Sequence, residues 1–152
     1  MRILIQRVKS ADVVVKREGI AGIEKGLLLF VGIGKDDEIK DVEYLCKKVS
    51  NLRIFEDERG RMNLNIQQVN GQILSVSQFT LYANTKKGNR PGFEQSADPE
   101  MARDYWERFN NLLRENGLEV KEGIFGAHME VSLINDGPVT IRLDSSSSGV
   151  SE

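Results

Sequence analysis

One cysteine, one histidine and three prolines stand among 152 residues, and each scarcity excludes a class of protein. A lone cysteine cannot close an intrachain disulfide, so Cys46, which falls within a helical apolar pattern, fits a buried thiol in a reducing cytosol. With a single histidine beside it, no structural zinc centre can be assembled, and no metal is expected. No stretch approaches the roughly 18 apolar residues of a membrane-spanning helix. The opening Met1-Arg2-Ile3-Leu4-Ile5-Gln6 is interrupted by charge too early for an export leader. A cytoplasmic chain with no membrane partner is expected. The net charge of −2 argues against bulk electrostatic binding of nucleic acid, because that needs many Lys and Arg neutralising phosphates. No DNA partner is expected, and any RNA contact must be local.

Catalytic signatures are absent as well. The sequence holds no P-loop, no G-x-S-x-G elbow and no H-E-x-x-H helix, and Gly32-Ile33-Gly34 stops short of a dinucleotide fingerprint. No cofactor is expected. Nothing in the sequence places a serine and an acid around His128, which is read as a surface or packing residue rather than a base.

What is present reads as strands with two helices. Residues 2–8 and 11–16 are short β-branched runs, Gly19 and Gly22 mark a turn region, and Leu27 to Ile33 is an apolar run suited to a strand covered on both faces. A helix is predicted over about 37–51, with Ile39, Val42, Leu45, Cys46 and Val49 on one face and Asp36 or Asp37 as its cap. Short strands are predicted at 52–55 and 61–66, and a longer one from Gln72 to Leu81. Asp98 and Pro99 open a second helix whose stripe, Ala102, Tyr105, Trp106, Phe109, Leu112 and Leu113, ends at Asn116-Gly117. Strand-like segments follow at 118–122, 130–135 and 139–144. The serine-rich stretch from Ser145 to Glu152 lacks an apolar anchor and is expected to be a disordered tail. This order gives one α+β domain over 1–144: a mostly antiparallel sheet or partial barrel with two amphipathic helices on one face. The other face then needs a partner, and a second copy of the chain is the simplest one.

Two segments are locally odd enough to mark a site, and a third is a candidate for local RNA contact. In Ser77-Gln78-Phe79-Thr80-Leu81, hydroxyls and an amide interrupt an apolar strand; regular alternation would point Gln78 and Thr80 to one side. This is either a site or a strand end with satisfied polar groups. Asn135-Asp136-Gly137-Pro138-Val139-Thr140 sets a Gly-Pro pair between two strands, as a hairpin connection would, or as a cis turn that holds carbonyls in fixed directions. Lys86-Lys87-Gly88-Asn89-Arg90 is a basic loop, either a phosphate contact or solvated surface.

At the first two segments the chain resembles the D-aminoacyl-tRNA deacylase family, also called D-tyrosyl-tRNA deacylases, and the likeness runs from Met1 to about Leu143. Ile5-Gln6-Arg7-Val8, Leu52-Arg53-Ile54-Phe55, Met62-Asn63-Leu64-Asn65, Arg90-Pro91-Gly92-Phe93 and Val131-Ser132-Leu133-Ile134 support it; the serine tail departs from it. The resemblance implies a homodimer that hydrolyses the ester joining a D-amino acid, or mischarged glycine, to the 3′ end of tRNA. It implies a site at the subunit interface, where Ser77–Leu81 of one chain faces a cis Gly137-Pro138 turn of the other. The carbonyls of that turn bind the substrate amino group and the turn excludes L side chains. Backbone N–H groups near Phe79 and Thr80 are implied as oxyanion donors, with the terminal 2′-hydroxyl as catalytic participant. Ser77, Gln78, Phe79 and Thr80 are thus the expected catalytic residues. Gly137, Pro138, Asn135, Arg7 and Phe93 are expected to bind substrate, Phe93 by stacking on adenine and Arg7 by bracing the turn or forming an interface ion pair. Lys86, Lys87 and Arg90 are expected at tRNA phosphates. Two other readings stay open: a non-catalytic tRNA-binding module, and a general esterase with Thr80 as nucleophile.

Overall fold

Alternating apolar residues draw Arg2 to Val15 into one long strand, β1, where the sequence suggested two. A computed structural model describes residues 1–148. The polar pair Lys9-Ser10, read as a break, is instead a bulge: pairing shifts register near Val8 and Ser10 and then resumes. The shift exchanges faces. Ile3 and Ile5 point toward the helices, whereas Val8, Ala11 and Val13 point into a second core on the opposite side.

β1 turns at Lys16-Arg17, both at positive φ, into β2 (Glu18–Ile23), so Gly19 and Gly22 lie in a strand and not in the turn. β3 (Gly26–Gly32) follows, covered on both faces as predicted: Leu27 and Leu29 meet the helix-side core, and Leu28 meets the other. After α1 (Ile39–Asn51) come a small hairpin, β4 (Phe55–Glu56) with β5 (Met62–Leu64), then β6 (Gln72–Ser77), α2 (Pro99–Glu115), β7 (Glu119–Glu122) and β8 (Glu130–Asp144). The six-stranded sheet runs β2-β1-β3-β6-β7, with β8 on the free side of β1. Pairings with β1 are antiparallel, and those of β6 with β3 and β7 are parallel.

Both helices cover one face, as expected. The other face is not left bare for a partner. β2 returns toward β6 and β7, so the sheet nearly closes into a barrel and buries Leu28, Leu74 and Val76 against Ile23 and Val13. α2 follows its sequence signals, with the Asp98 side chain accepting from the Met101 N–H at 3.0 Å. α1 does not use Asp36 or Asp37 as its cap. Glu38 holds that position in a capping box with Asp41, because the Asp37 carboxylate is taken up by the Gly34 N–H at 2.6 Å. The serine run also differs from expectation. Ser145–Ser148 forms a 3₁₀ turn, Ser145 is buried, and its N–H donates to the Met1 carbonyl at 3.0 Å. Residues 149–152 of the expected tail lie outside the described residues.

Cys46 sits on the buried face of α1. Burial pushes its thiol up to about 11; Glu115 adds to the rise and the Ser50 hydroxyl opposes it. A thiol reagent at pH 8 is expected to leave the folded protein unlabelled and to modify it fully in denaturant, because the thiolate is the reactive form. Rapid labelling of the native protein would show that the α1 face opens.

Candidate active site

β6 ends where its neighbour loses its side chain. Ser77 pairs with Val31 of β3, and the Gln78 N–H donates to the Val31 carbonyl at 2.8 Å. Next on β3 is Gly32, where a Cβ would come within 2.9 Å of the Gln78 carbonyl and 3.2 Å of Leu81. With that space open the chain does not continue as the predicted strand to Leu81. It winds into a 3₁₀ turn, Phe79–Tyr82. Gln78 and Thr80 still meet, Gln78 Nε2 donating to Thr80 Oγ1, but curvature brings them together and not strand alternation.

The turn is held at its far end. Tyr82 is only 8% exposed, and Arg2 lies over its ring at 4.4 Å while donating to the Leu81 carbonyl at 3.0 Å and to Asp144 at 3.0 Å. Burial, with Asp37 and Asp144 nearby, raises the Tyr82 hydroxyl far above the ordinary phenol range despite the opposing pull of Arg2. The near end is open: Phe79 is 55% exposed and Thr80 is exposed.

Ser77, Gln78 and Phe79 line a cavity of about 720 Å³ together with Phe93, the start of α2 and the loop 125–129. Phe79 and Phe93 meet edge to face at 4.9 Å between centroids. The walls are otherwise mainly apolar, from Ile33, Val76, Ala102, Phe125 and Met129. His128 is exposed on this cavity and, among the described residues, has no hydrogen bond to Ser77 or Thr80. Among the described residues the one side-chain partner of the Thr80 hydroxyl is the Gln78 amide, a donor, and none is a base placed to activate it.

The second segment forms no hairpin. β8 passes straight through it, paired with β1 on both sides: Val8 opposes Asn135 and Gln6 opposes Thr140, leaving residues 136–139 bulged opposite Arg7. The Gly137-Pro138 bond is cis. Gly137 has φ +151°, and a Cβ there would lie 2.7 Å from Val139 Cγ2 and 2.8 Å from the Val139 nitrogen. Arg7 is 5% exposed; its Nε donates to the Asp136 carbonyl at 2.9 Å and its Nη1 to the Ile54 carbonyl at 2.6 Å. Asp136 and Glu56 carboxylates stand farther off, at 3.8 and 3.9 Å. The Asn135 amide turns back on its own segment: Oδ1 accepts from the Val139 N–H at 2.7 Å, and Nδ2 donates to the Val139 carbonyl and Thr140 Oγ1. Gly137 and Pro138 themselves are exposed.

The expected residues therefore fall into two groups. Ser77, Gln78, Phe79 and Phe93 share the cavity, with Thr80 on its adjoining turn, while Arg7, Asn135, Gly137 and Pro138 form the other cluster and contribute nothing to the cavity wall. Lys86, Lys87 and Arg90 are exposed on a loop closed at its base by the Asn84–Gly92 bridge, just before Phe93. Among the described residues none of the three is in an ion pair, although Lys87 contributes to lowering Glu94 after that residue's own backbone N–H and Asn84.

Sequence reasoning missed the loop 125–129 and the residues Ser96 to Pro99 as cavity walls. The available signal was an aromatic with glycine, Phe125-Gly126, in an otherwise unassigned stretch between strands. Among the described residues no group of three or more His, Cys, Asp or Glu is placed to hold a metal ion, and no helix is long and apolar enough to cross a membrane.

A family model described as D-Tyr-tRNA(Tyr) deacylase matches residues 4–144. A D-aminoacyl-tRNA deacylase of Thermotoga petrophila is 55% identical over 146 residues, spanning 96% of this chain and 98% of its own. The solved structure of a c-Myc DNA Unwinding Element Binding Protein is 40% identical, with TM-score 0.89 over 95% of this chain and 98% of that one. A probable eukaryotic D-amino acid tRNA deacylase shares the fold at 15% identity, with TM-score 0.82 over 93% of this chain and 97% of that one.

Proposed function

Because the chain belongs to the D-aminoacyl-tRNA deacylase family and is a hydrolase of aminoacyl-tRNA esters, we propose that its reaction centre is completed between two copies of the chain. The observation carrying this reading is the division of the site. One protomer offers an apolar cavity beside Phe79 and Thr80, and elsewhere a braced, exposed Gly137-Pro138 turn that its own cavity lacks. A second copy supplies the turn to the cavity. The terminal adenosine stacks on Phe93 beside Phe79, since unstacked bases at RNA ends are read on aromatic faces. Lys86, Lys87 and Arg90 meet the phosphates behind it.

Carbonyls of the turn take the α-ammonium of the amino acid, and an L side chain collides with the turn, whereas a D side chain or glycine does not. Water attacks the ester carbonyl. The N–H groups of Phe79 and Thr80, first in their 3₁₀ turn and so without partners inside it, stabilise the developing oxyanion. The 2′-hydroxyl of the terminal ribose relays the proton that no protein base is placed to take. Thr80 positions substrate and is not the nucleophile. The reaction takes place in the cytoplasm, where charged tRNA is used.

The test is loss of labelled amino acid from D-tyrosyl-tRNA and L-tyrosyl-tRNA, with chelator in both, using wild type and Thr80→Ala. Hydrolysis of the D-ester alone is expected, with Thr80→Ala within about tenfold of wild type. Removing a true nucleophile costs on the order of 10⁶-fold. Loss on that scale would restore Thr80 as nucleophile, and failure to cleave either ester would leave an RNA-binding module.

A further inference from the structure

A carboxamide offers two donor hydrogens and an acceptor oxygen. Both Asn135 donors are engaged inside its own segment, on the Val139 carbonyl at 3.1 Å and Thr140 Oγ1 at 3.2 Å, and its oxygen accepts from the Val139 N–H at 2.7 Å. No donor is left for a ligand. Thr140 Oγ1 also accepts from Gln6 Nε2 at 3.2 Å, so the chain Gln6, Thr140, Asn135 ties β1 to the bulge. Val139, gripped at both backbone groups, has its side chain in the core beneath the helices. The bulge is thus fixed on one side by Arg7 at the Asp136 carbonyl and on the other by Asn135 at Val139. Between these anchors only Gly137 and Pro138 project.

We propose that Asn135 is a positioning residue that sets the D-over-L discrimination of the site without touching substrate, acting through Val139 and the Gln6–Thr140 link. The inference rests on the reading of the Gly137-Pro138 turn as the chiral filter. A filter that works by collision depends on where its backbone stands, and a shift of about 1 Å is enough to cost a well-aligned site heavily.

The experiment measures kcat and KM on D- and L-tyrosyl-tRNA for Asn135→Ala, Asn135→Asp, Thr140→Val, the Asn135→Ala/Thr140→Val double variant and Gly137→Ala. Thr140 is exposed, so its variant keeps the fold available for the test. Each change at Asn135 or Thr140 is expected to lower the D-over-L ratio of kcat/KM by about tenfold. Asn135→Asp fails with alanine, because a carboxylate cannot donate to the Val139 carbonyl. The double variant is no worse than the worse single one, since both cut the same link. Losses that multiply in the double variant, or a rise in KM for the D-ester at an unchanged ratio, would make Asn135 a direct substrate contact and overturn the proposal. If Gly137→Ala leaves the ratio at the wild-type value, the chiral-filter reading itself fails. If Gly137→Ala destroys the ratio and Asn135→Ala does not, only the present inference fails.

Discussion

Replacing Gly137 by alanine is expected to lower kcat/KM for the D-ester by about 100-fold or more, while the melting temperature stays within a few degrees of wild type. The added Cβ would stand 2.7 Å from Val139 Cγ2 and 2.8 Å from the Val139 nitrogen, and φ +151° is a conformation that L side chains rarely adopt. Neither the Val139 nitrogen nor its side chain can give way, because Asn135 holds the first and the core holds the second. The turn itself must move, and it is exposed, so the strain falls on the site and not on the core. Single-turnover deacylation read beside a thermal melt separates the two effects. Full activity in this variant would remove the turn from the reaction.

Arg7→Ala is expected to damage both stability and activity. The buried guanidinium donates to two carbonyls that belong to different parts of the chain, Asp136 in the bulge and Ile54 before the small hairpin. Charge-assisted hydrogen bonds contribute roughly 1.5–3 kcal/mol each, and the abandoned carbonyls stay largely out of water, so a loss of about 3 kcal/mol is expected. For a domain of this length that is a fall in Tm of about 6–12 °C. Deacylation should fall by about 100-fold, because one of the two anchors of the turn is gone. Arg7→Lys should recover only part of either loss, since an ammonium lacks the fork that reaches both carbonyls. A variant that melts and reacts like wild type would show that neither hydrogen bond of Arg7 matters to the fold or to the reaction.

How much of this was legible depended on whether the signal was local. α2 was readable from its cap, its N1 proline and its terminating Asn116-Gly117, because these act within a turn of the helix. The cap of α1 was not readable, since Asp37 is drawn off by Gly34 and Glu38 takes its place. Lys9-Ser10 and Asp136-Gly137-Pro138 looked like breaks because a bulge and a loop share composition; only the partner strand decides that the ladder resumes. The strand predicted through Leu81 failed for a similar reason, as the space that admits the 3₁₀ turn is set by Gly32, far away in sequence. Within the site, the Ser77–Leu81 and Asn135–Thr140 motifs were visible as residues. Their division into two clusters was not, because it depends on how β1, β6 and β8 are arranged in space. The cavity walls from α2 and the loop 125–129 are apolar, and in sequence an apolar wall looks the same as core.

β1 is flanked along its length, by β3 and then β2 on one side and by β8 on the other, and it carries Gln6 and Arg7, which hold the bulge. Freeing the turn by local opening would require unzipping the strand on which both hydrophobic cores depend, so such an opening approaches the free energy of global unfolding. Held in this way, the turn behaves as a casting mould and not as a jaw. If the turn is the filter proposed above, a substrate that does not fit meets a shape that exists before it arrives.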